Sequence, residues 1–194
     1  MQAGRHRLSI AYSGKIYQQA SGLFALDYDT PKGKARALFT QFENSDARRF
    51  VPSFDEPGRK ATFRLSAVVP ADLMAVSNMP IASSTPMDGG LKRVQFAQTP
   101  KMSSYLLFFG LGDFERVSRM VDGVDVGVIV KRGDTAQAGY ALDAASQILP
   151  YYNSYFGTKY PLPKLDLLAG PGQSQFFGAM ENWGAIFYLS LIHI

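Results

Sequence analysis

Hydrophobic and polar positions divide the chain into two unequal stretches. Over the first two thirds, short apolar runs are separated by turn residues. The runs are Arg7–Tyr12 (RLSIAY), Leu23–Tyr28 (LFALDY), Ala35–Phe42 (ARALFTQF), Ala61–Val69 (ATFRLSAVV), Leu91–Ala97 (LKRVQFA) and Val124–Val130 (VDVGVIV). Thr30-Pro31-Lys32-Gly33, Glu56-Pro57-Gly58, Asp88-Gly89-Gly90 and Asp122-Gly123 lie between them. Such runs, rich in aliphatic and aromatic residues and bounded by Gly, Pro and Asp, predict strands. The most apolar segment, Tyr105–Leu111 (YLLFFGL), predicts a buried strand. Close spacing with almost no helical period predicts a mainly β architecture, an antiparallel β-sandwich or open saddle.

The period then changes. From Ala138 the apolar residues fall at 138, 141, 142, 145, 148, 149, 152 and 155, one face of an amphipathic helix. Asp134 is the expected N-cap, with Gln137 completing a capping box. Pro150 is expected to kink or end the helix near Leu149, because proline lacks an N–H and crowds the preceding turn. Lys164–Ala169 (KLDLLA) then predicts a short strand. The switch to strand–helix–strand near residues 131–134 is the expected domain boundary.

Composition narrows the chemistry. The 194 residues include no cysteine and only two histidines, His6 and His193. Disulfides, thiolate zinc sites, iron–sulfur clusters and cysteine nucleophiles are thereby excluded, and an all-histidine metal site cannot be assembled. The net charge is +4, but Lys and Arg occur in scattered pairs such as Arg5-His6-Arg7, Arg48-Arg49 and Lys131-Arg132. Nucleic-acid binding calls for a concentrated basic face and is not expected. No stretch approaches the ~18 apolar residues that a membrane span requires.

One segment joins polar chemistry to an apolar block. Residues 178–184 read Gly-Ala-Met-Glu-Asn-Trp-Gly, flanked by Phe176, Phe177, Phe187 and Tyr188. A purely structural edge strand would account for the aromatic residues. Glu181-Asn182 inside that block would then need a cation or a hydrogen-bond network. Gly178 and Gly184 would let another backbone approach closely. Together these features point to a strand that receives an extended peptide, with Glu181 aimed at a charge.

The string GAMENWG resembles the exopeptidase signature of the aminopeptidase N family of zinc metallopeptidases, the gluzincin aminopeptidases. Thr40–Phe63, TQFENSDARRFVPSFDEPGRKATF, is similar to a second block of that family, and Ala75–Pro80 (AVSNMP) to a third. The three matches stand in the family's order. The resemblance implies a β-saddle N-terminal domain over residues 1–131, with its first strands missing. Residues 132–188 would begin an α/β, thermolysin-like catalytic domain. It implies release of N-terminal amino acids from peptides, with the substrate α-ammonium held by Glu181 and Glu43. Gly178, Ala179 and Met180 would meet the bound peptide as an added strand, and Gln41, on the strand face of Glu43, would line the first subsite. Asn182 is expected to orient the motif. The implied partners are peptides with a free N-terminus.

The implied cofactor is Zn2+, held in the family by a His-Glu-x-x-His helix and a further glutamate that this chain does not contain. The isolated chain is therefore expected to be inactive, and a hydrophobic face meant for missing structure is expected to be exposed. A non-catalytic β-sandwich binding or scaffold module of the same fold is the alternative reading. Residues 189–194 (LSLIHI) depart from the family pattern and match the translation of a transposon-end sequencing adapter, so an artefact is expected there. Asp46, Arg48, Arg49, Asp55 and Glu56 are expected to form structural ion pairs and turns, and Trp183 to pack in the core. Asp166 is expected to be solvated or capping, and His6 exposed.

Overall fold

A computed structural model describes residues 4, 6–171 and 178–194, and the strands dominate it. Strands β1 (Gly22–Thr30) and β2 (Gly33–Gln41) form a long hairpin. With β7 (Phe109–Gly112) and β4 (Met74–Ser77) they make an antiparallel four-stranded sheet in the order β1-β2-β7-β4. A second antiparallel sheet orders β3 (Ser66–Pro70), β6 (Leu91–Phe96) and β5 (Ile81–Met87).

The third sheet is mixed. Its order is β11 (Ala179–Met180), β12 (Ala185–Tyr188), β10 (Lys164–Ala169), β9 (Val124–Lys131) and β8 (Phe114–Val121). Strand β10 runs parallel to both β9 and β12, and helix α1 (Gly139–Tyr155) makes the crossover from β9 to β10. A helix on the crossover is the ordinary way to bring two parallel strands side by side. Alternation along β9 explains its place. Val124, Val126, Val128 and Val130 face Ala141, Leu142, Ala145 and Leu149 of α1, while Ile129 faces the opposite core.

That opposite core ties the molecule together. Phe24 and Phe39 of the first sheet pack with Phe114, Leu168, Met180 and Phe187 of the third. The Phe39 and Phe187 rings stack at 4.7 Å. Each such fully buried side chain contributes about 1.5–3 kcal/mol, so one core fastens β11 and its neighbours to the β1-β2 hairpin.

Several expectations are corrected. Residues 7–12 are exposed chain rather than a strand, with Leu8, Ile10 and Tyr12 facing solvent, because no neighbouring strand pairs with them among the described residues. Within Ala61–Val69 the strand begins only at Ser66. Tyr105–Leu111 opens as a 3-10 turn at Ser104–Leu106 and becomes strand only at Phe109, although all of it but Tyr105 is buried. Asp134 makes no side-chain cap; a 3-10 turn at Thr135–Gln137 intervenes and α1 starts at Gly139. Helix α1 runs through Pro150 to Tyr155, losing one backbone hydrogen bond but not its continuity, and the chain turns out of it at Gly157.

The third sheet also begins before the compositional switch. Strand β8 lies before residue 131 and β9 ends on it, yet β8 pairs with β9 and β9 with β10. Valine-rich β9 reads like its predecessors in sequence, so only the pairing reveals its sheet. Beyond the strands, Tyr151, Tyr152, Tyr155 and Phe156 form an exposed aromatic cluster at the end of α1. Leu191 and Ile194 pack against the α1 core.

Candidate amine-binding site

From Ala179 the GAMENWG segment alternates. Ala179, Glu181 and Trp183 are exposed, while Met180, Asn182 and Gly184 are buried. Met180 anchors the segment in the shared core. Glu181 therefore points outward, which corrects the expectation that it is buried among aromatic residues: strand alternation carries its neighbours inward and it outward. Trp183 is likewise 40% exposed instead of packed in the core. Phe176 and Phe177 lie outside the described residues.

Strand β11 is the outer strand of its sheet, paired only with β12 through Ala179↔Tyr188 and Met180↔Phe187. Its inner hydrogen bonds are continued by Leu189 N–H to the Gly178 carbonyl at 2.9 Å. The outer side of such a strand is a template for an extended peptide.

The end of β2 reaches the same place. Gln41 is buried, and its Nε2 lies 3.6 Å from Met180 Sδ across 139 residues of sequence. Its Oε1 has no partner. Glu43 lies beyond the end of β2, in a turn, so the same-face relation to Gln41 does not hold. Gln41 is inside and Glu43 outside, with Phe42 buried between them.

Tyr105 contacts one of the two acids and feels the charge of the other. Its hydroxyl donates to Glu181 Oε1 at 3.5 Å. Partial burial, then the Glu181 charge and its hydrogen bond, then the Glu43 charge raise the Tyr105 pKa above the usual phenol value. Both carboxylates thus bear on one hydroxyl, and among the described residues neither has an ion-pair partner. Tyr105 was not singled out from sequence, since it begins an apolar run. The polar Ser103-Ser104 step before it is the one available signal.

Polar contacts hold the motif from behind. Asn182 is buried, and its Nδ2 approaches the Leu106 carbonyl at 3.4 Å. At the far end of the motif, the Gly184 carbonyl accepts from Lys164 Nζ at 2.6 Å and from the Asp166 N–H at 3.1 Å. Lys164 also pairs with Asp166 at 2.7 Å, and Asp166 with Arg116 at 2.7 Å. Asp166 is thus a buried ion-pair member, which corrects the expectation of a solvated or capping group. Lys164 two residues earlier shares its strand face, and Arg116 reaches it across β9 over Gly127, where a Cβ would collide with the guanidinium.

Arg48 pairs with Asp55 at 3.4 Å, Arg49 with Asp46 at 2.9 Å and Arg59 with Glu56 at 3.8 Å; these groups brace turns. His6 is exposed. Among the described residues no group of three or more His, Cys, Asp or Glu side chains could hold a metal ion. No helix among them is long and apolar enough to cross a membrane.

A mainly β first part, a parallel crossover and an outer GAMEN strand, flanked by two acids without an ion-pair partner among the described residues, are features of a peptidase of the M1 kind. Residues 1–106 match the Peptidase M1 N-terminal domain and residues 140–192 the Peptidase family M1 domain, and the chain belongs to this family. It is 50% identical to Aminopeptidase N of Acetobacter pasteurianus over 96% of its own length and 52% of that protein's. It is 43% identical to Probable aminopeptidase 2 of Sulfurisphaera tokodaii over 92% of the chain and 22% of that protein. It is 42% identical to Endoplasmic reticulum aminopeptidase 1 of Homo sapiens over 93% of the chain and 19% of that protein. The chain therefore spans about half of the first relative and about a fifth of the other two.

Proposed function

We propose that this chain is the substrate-anchoring part of a zinc aminopeptidase. Glu181 and Glu43 receive the α-ammonium of a peptide, Gln41 lines the first subsite, and the outer edge of β11 at Gly178, Ala179 and Met180 takes the peptide backbone. Asn182 orients the loop from inside. The observation that carries this reading is the Glu181 carboxylate against the Tyr105 hydroxyl beside the outer edge of β11, with the Glu43 charge also felt at that hydroxyl and neither acid ion-paired among the described residues.

An ammonium between two carboxylates makes charge-assisted hydrogen bonds that an acetylated or otherwise neutral end cannot make. Holding the amine also fixes the position of the first peptide bond, which is what confines cleavage to the chain end. The zinc of the whole enzyme would polarise that bond's carbonyl and supply an activated water. The described residues offer no ligand set for it, so this chain's part is to bind, orient and select. Peptide hydrolysis by the 194-residue chain alone is not expected.

The test is a titration of the isotope-labelled chain with leucinamide, followed by NMR. Shifts are expected at Glu43, Tyr105 and Glu181, absent with N-acetyl-leucinamide and strongly weakened in Glu181→Gln and Glu43→Gln. Equal response to the free and acetylated ligands would overturn the reading and favour a scaffold module.

A further inference from the structure

Asn78, the residue after β4, is 1% exposed, and both donors and the oxygen of its amide are turned on neighbouring backbone. Its Nδ2 donates to the Leu106 carbonyl and to the Trp183 carbonyl, each at 2.8 Å. Its Oδ1 accepts the Phe108 N–H at 2.8 Å. Behind the side chain, Gly184 lies so close that a Cβ there would overlap the Asn78 carbonyl. Leu106 directly follows Tyr105, and Trp183 stands two positions past Glu181. One buried amide therefore joins the backbone beside each member of the Tyr105–Glu181 pair.

We propose that Asn78 is a positioning residue of the amine pocket: by tying the Leu106 and Trp183 carbonyls to one amide, it holds the Tyr105 hydroxyl against the Glu181 carboxylate and fixes where that carboxylate points. The proposal rests on reading Glu181 as an amine anchor. Asparagine suits the task because a planar amide offers two donors and an acceptor in fixed directions. Aspartate would set a carboxylate against two carbonyls, and leucine would strand all three backbone groups.

Neighbouring contacts keep the role local. Ser77 Oγ independently donates to the Phe108 carbonyl at 2.7 Å, and Lys164 holds Gly184. Loss of the Asn78 amide should free the two arms relative to each other while the sheets persist.

The experiment uses the full 194-residue chain labelled at tyrosine Cζ, with Tyr105→Phe assigning the Tyr105 signal. Glu181→Gln is expected to move that signal in the otherwise native chain and to leave it nearly unmoved in an Asn78→Ala background. A general loss of stability would not erase this coupling. Asn78→Ala is also expected to weaken leucinamide binding about tenfold, the equivalent of one lost hydrogen bond to a charged or buried group. Asn78→Asp, closer in shape, is expected to behave likewise and serves if the alanine variant does not fold.

An undiminished effect of Glu181→Gln on Tyr105, or unchanged leucinamide affinity, overturns the proposal. Failure of both variants to fold also overturns it, assigning Asn78 to global stability. If leucinamide binds the native chain and Glu181→Gln alike, or neither, the amine-anchor reading itself has failed, and the role in an amine pocket fails with it whatever the tyrosine signal does.

Discussion

Tyr105 and Glu181, 76 residues apart in sequence, meet hydroxyl to carboxylate at 3.5 Å. The contact joins the short turn before β7 to the loop after β11, and it gives the site a built-in reporter. Burial, Glu181 and Glu43 each raise the Tyr105 pKa from its ordinary 10.0. Glu181→Gln removes one negative charge and one hydrogen bond, so the phenol should titrate at lower pH. Glu43→Gln should produce a smaller drop, because that carboxylate acts through its charge alone. A bound ammonium should act in the same direction as these substitutions. Tyrosine Cζ NMR across pH 8–12 measures all three, and an unmoved midpoint in Glu181→Gln would show that the pair does not persist in solution.

The buried cluster behind the motif is asymmetric, and that asymmetry can be measured. Asp166 stands between Arg116 and Lys164. Asp166→Asn leaves the buried Lys164 without its carboxylate, next to an Arg116 that keeps its pair with Asp125 at 3.0 Å, and should cost about 3–5 kcal/mol, as for other broken buried pairs. Lys164→Met removes one cation but leaves Arg116 paired with Asp166, and should cost distinctly less. Urea denaturation of both variants checks the order, and a costlier Lys164→Met would contradict it.

Alkali should unfold the chain through its tyrosines. Burial raises the pKa of Tyr160 most, with the Asp166 charge adding to it, and burial also raises Tyr28 and Tyr188. A folded-state pKa above the unfolded value means that the native chain holds the proton longer. Stability from these groups is complete below pH 10 and falls as pH rises toward their folded pKa values. Lys164 opposes the trend, since burial lowers its pKa and its contribution rises with pH up to 10.5. Above that point the tyrosines act unopposed. Tyr160→Phe should flatten the decline of the urea midpoint between pH 10.5 and 12, and parallel declines in both proteins would refute this assignment.

Local periodicity revealed much of this fold, and long-range pairing accounts for most of what it missed. The hairpin β1-β2, strands β6, β9 and β10, and the body of α1 follow from alternation, turn residues and the 3.6-residue period. Residues 7–12 carry the same strand pattern but find no partner strand among the described residues, so pattern alone misleads there. Asp166 could not be recognised as buried from its own neighbourhood, because one of its partners, Arg116, arrives from two strands away. The motif residues Glu181, Met180 and Asn182 stood out as a string, yet their inward or outward direction depended on pairing with β12. Tyr105 had only the polar Ser103-Ser104 step before it as a signal, and Asn78 stood in the family-like AVSNMP string with nothing local to show its role. A tyrosine opening an apolar run and an asparagine ending a strand are ordinary, and only the meeting of distant segments gives them meaning.

Gly184 provides the most direct test that the motif's backbone path matters. It occupies φ +74, and an added Cβ would overlap the Asn78 carbonyl, which is backbone and cannot swing aside. Gly157, after α1, has the similar φ of +63 but nothing within 4 Å of a Cβ. Gly157→Ala should therefore cost only the left-handed penalty, about 1–2 kcal/mol. Gly184→Ala must add an overpacking cost of about 1–3 kcal/mol to the same penalty. The excess should be relieved by pushing the Trp183–Gly184 segment away from Asn78, which pulls the Glu181 loop with it. Gly184→Ala is thus expected to lose leucinamide binding even at temperatures where circular dichroism shows it folded, while Gly157→Ala binds normally. Chemical denaturation paired with the NMR titration separates the two effects. Equal stability losses in the two variants, with binding retained in both, would mean that Asn78 and Gly184 are not in tight contact in solution.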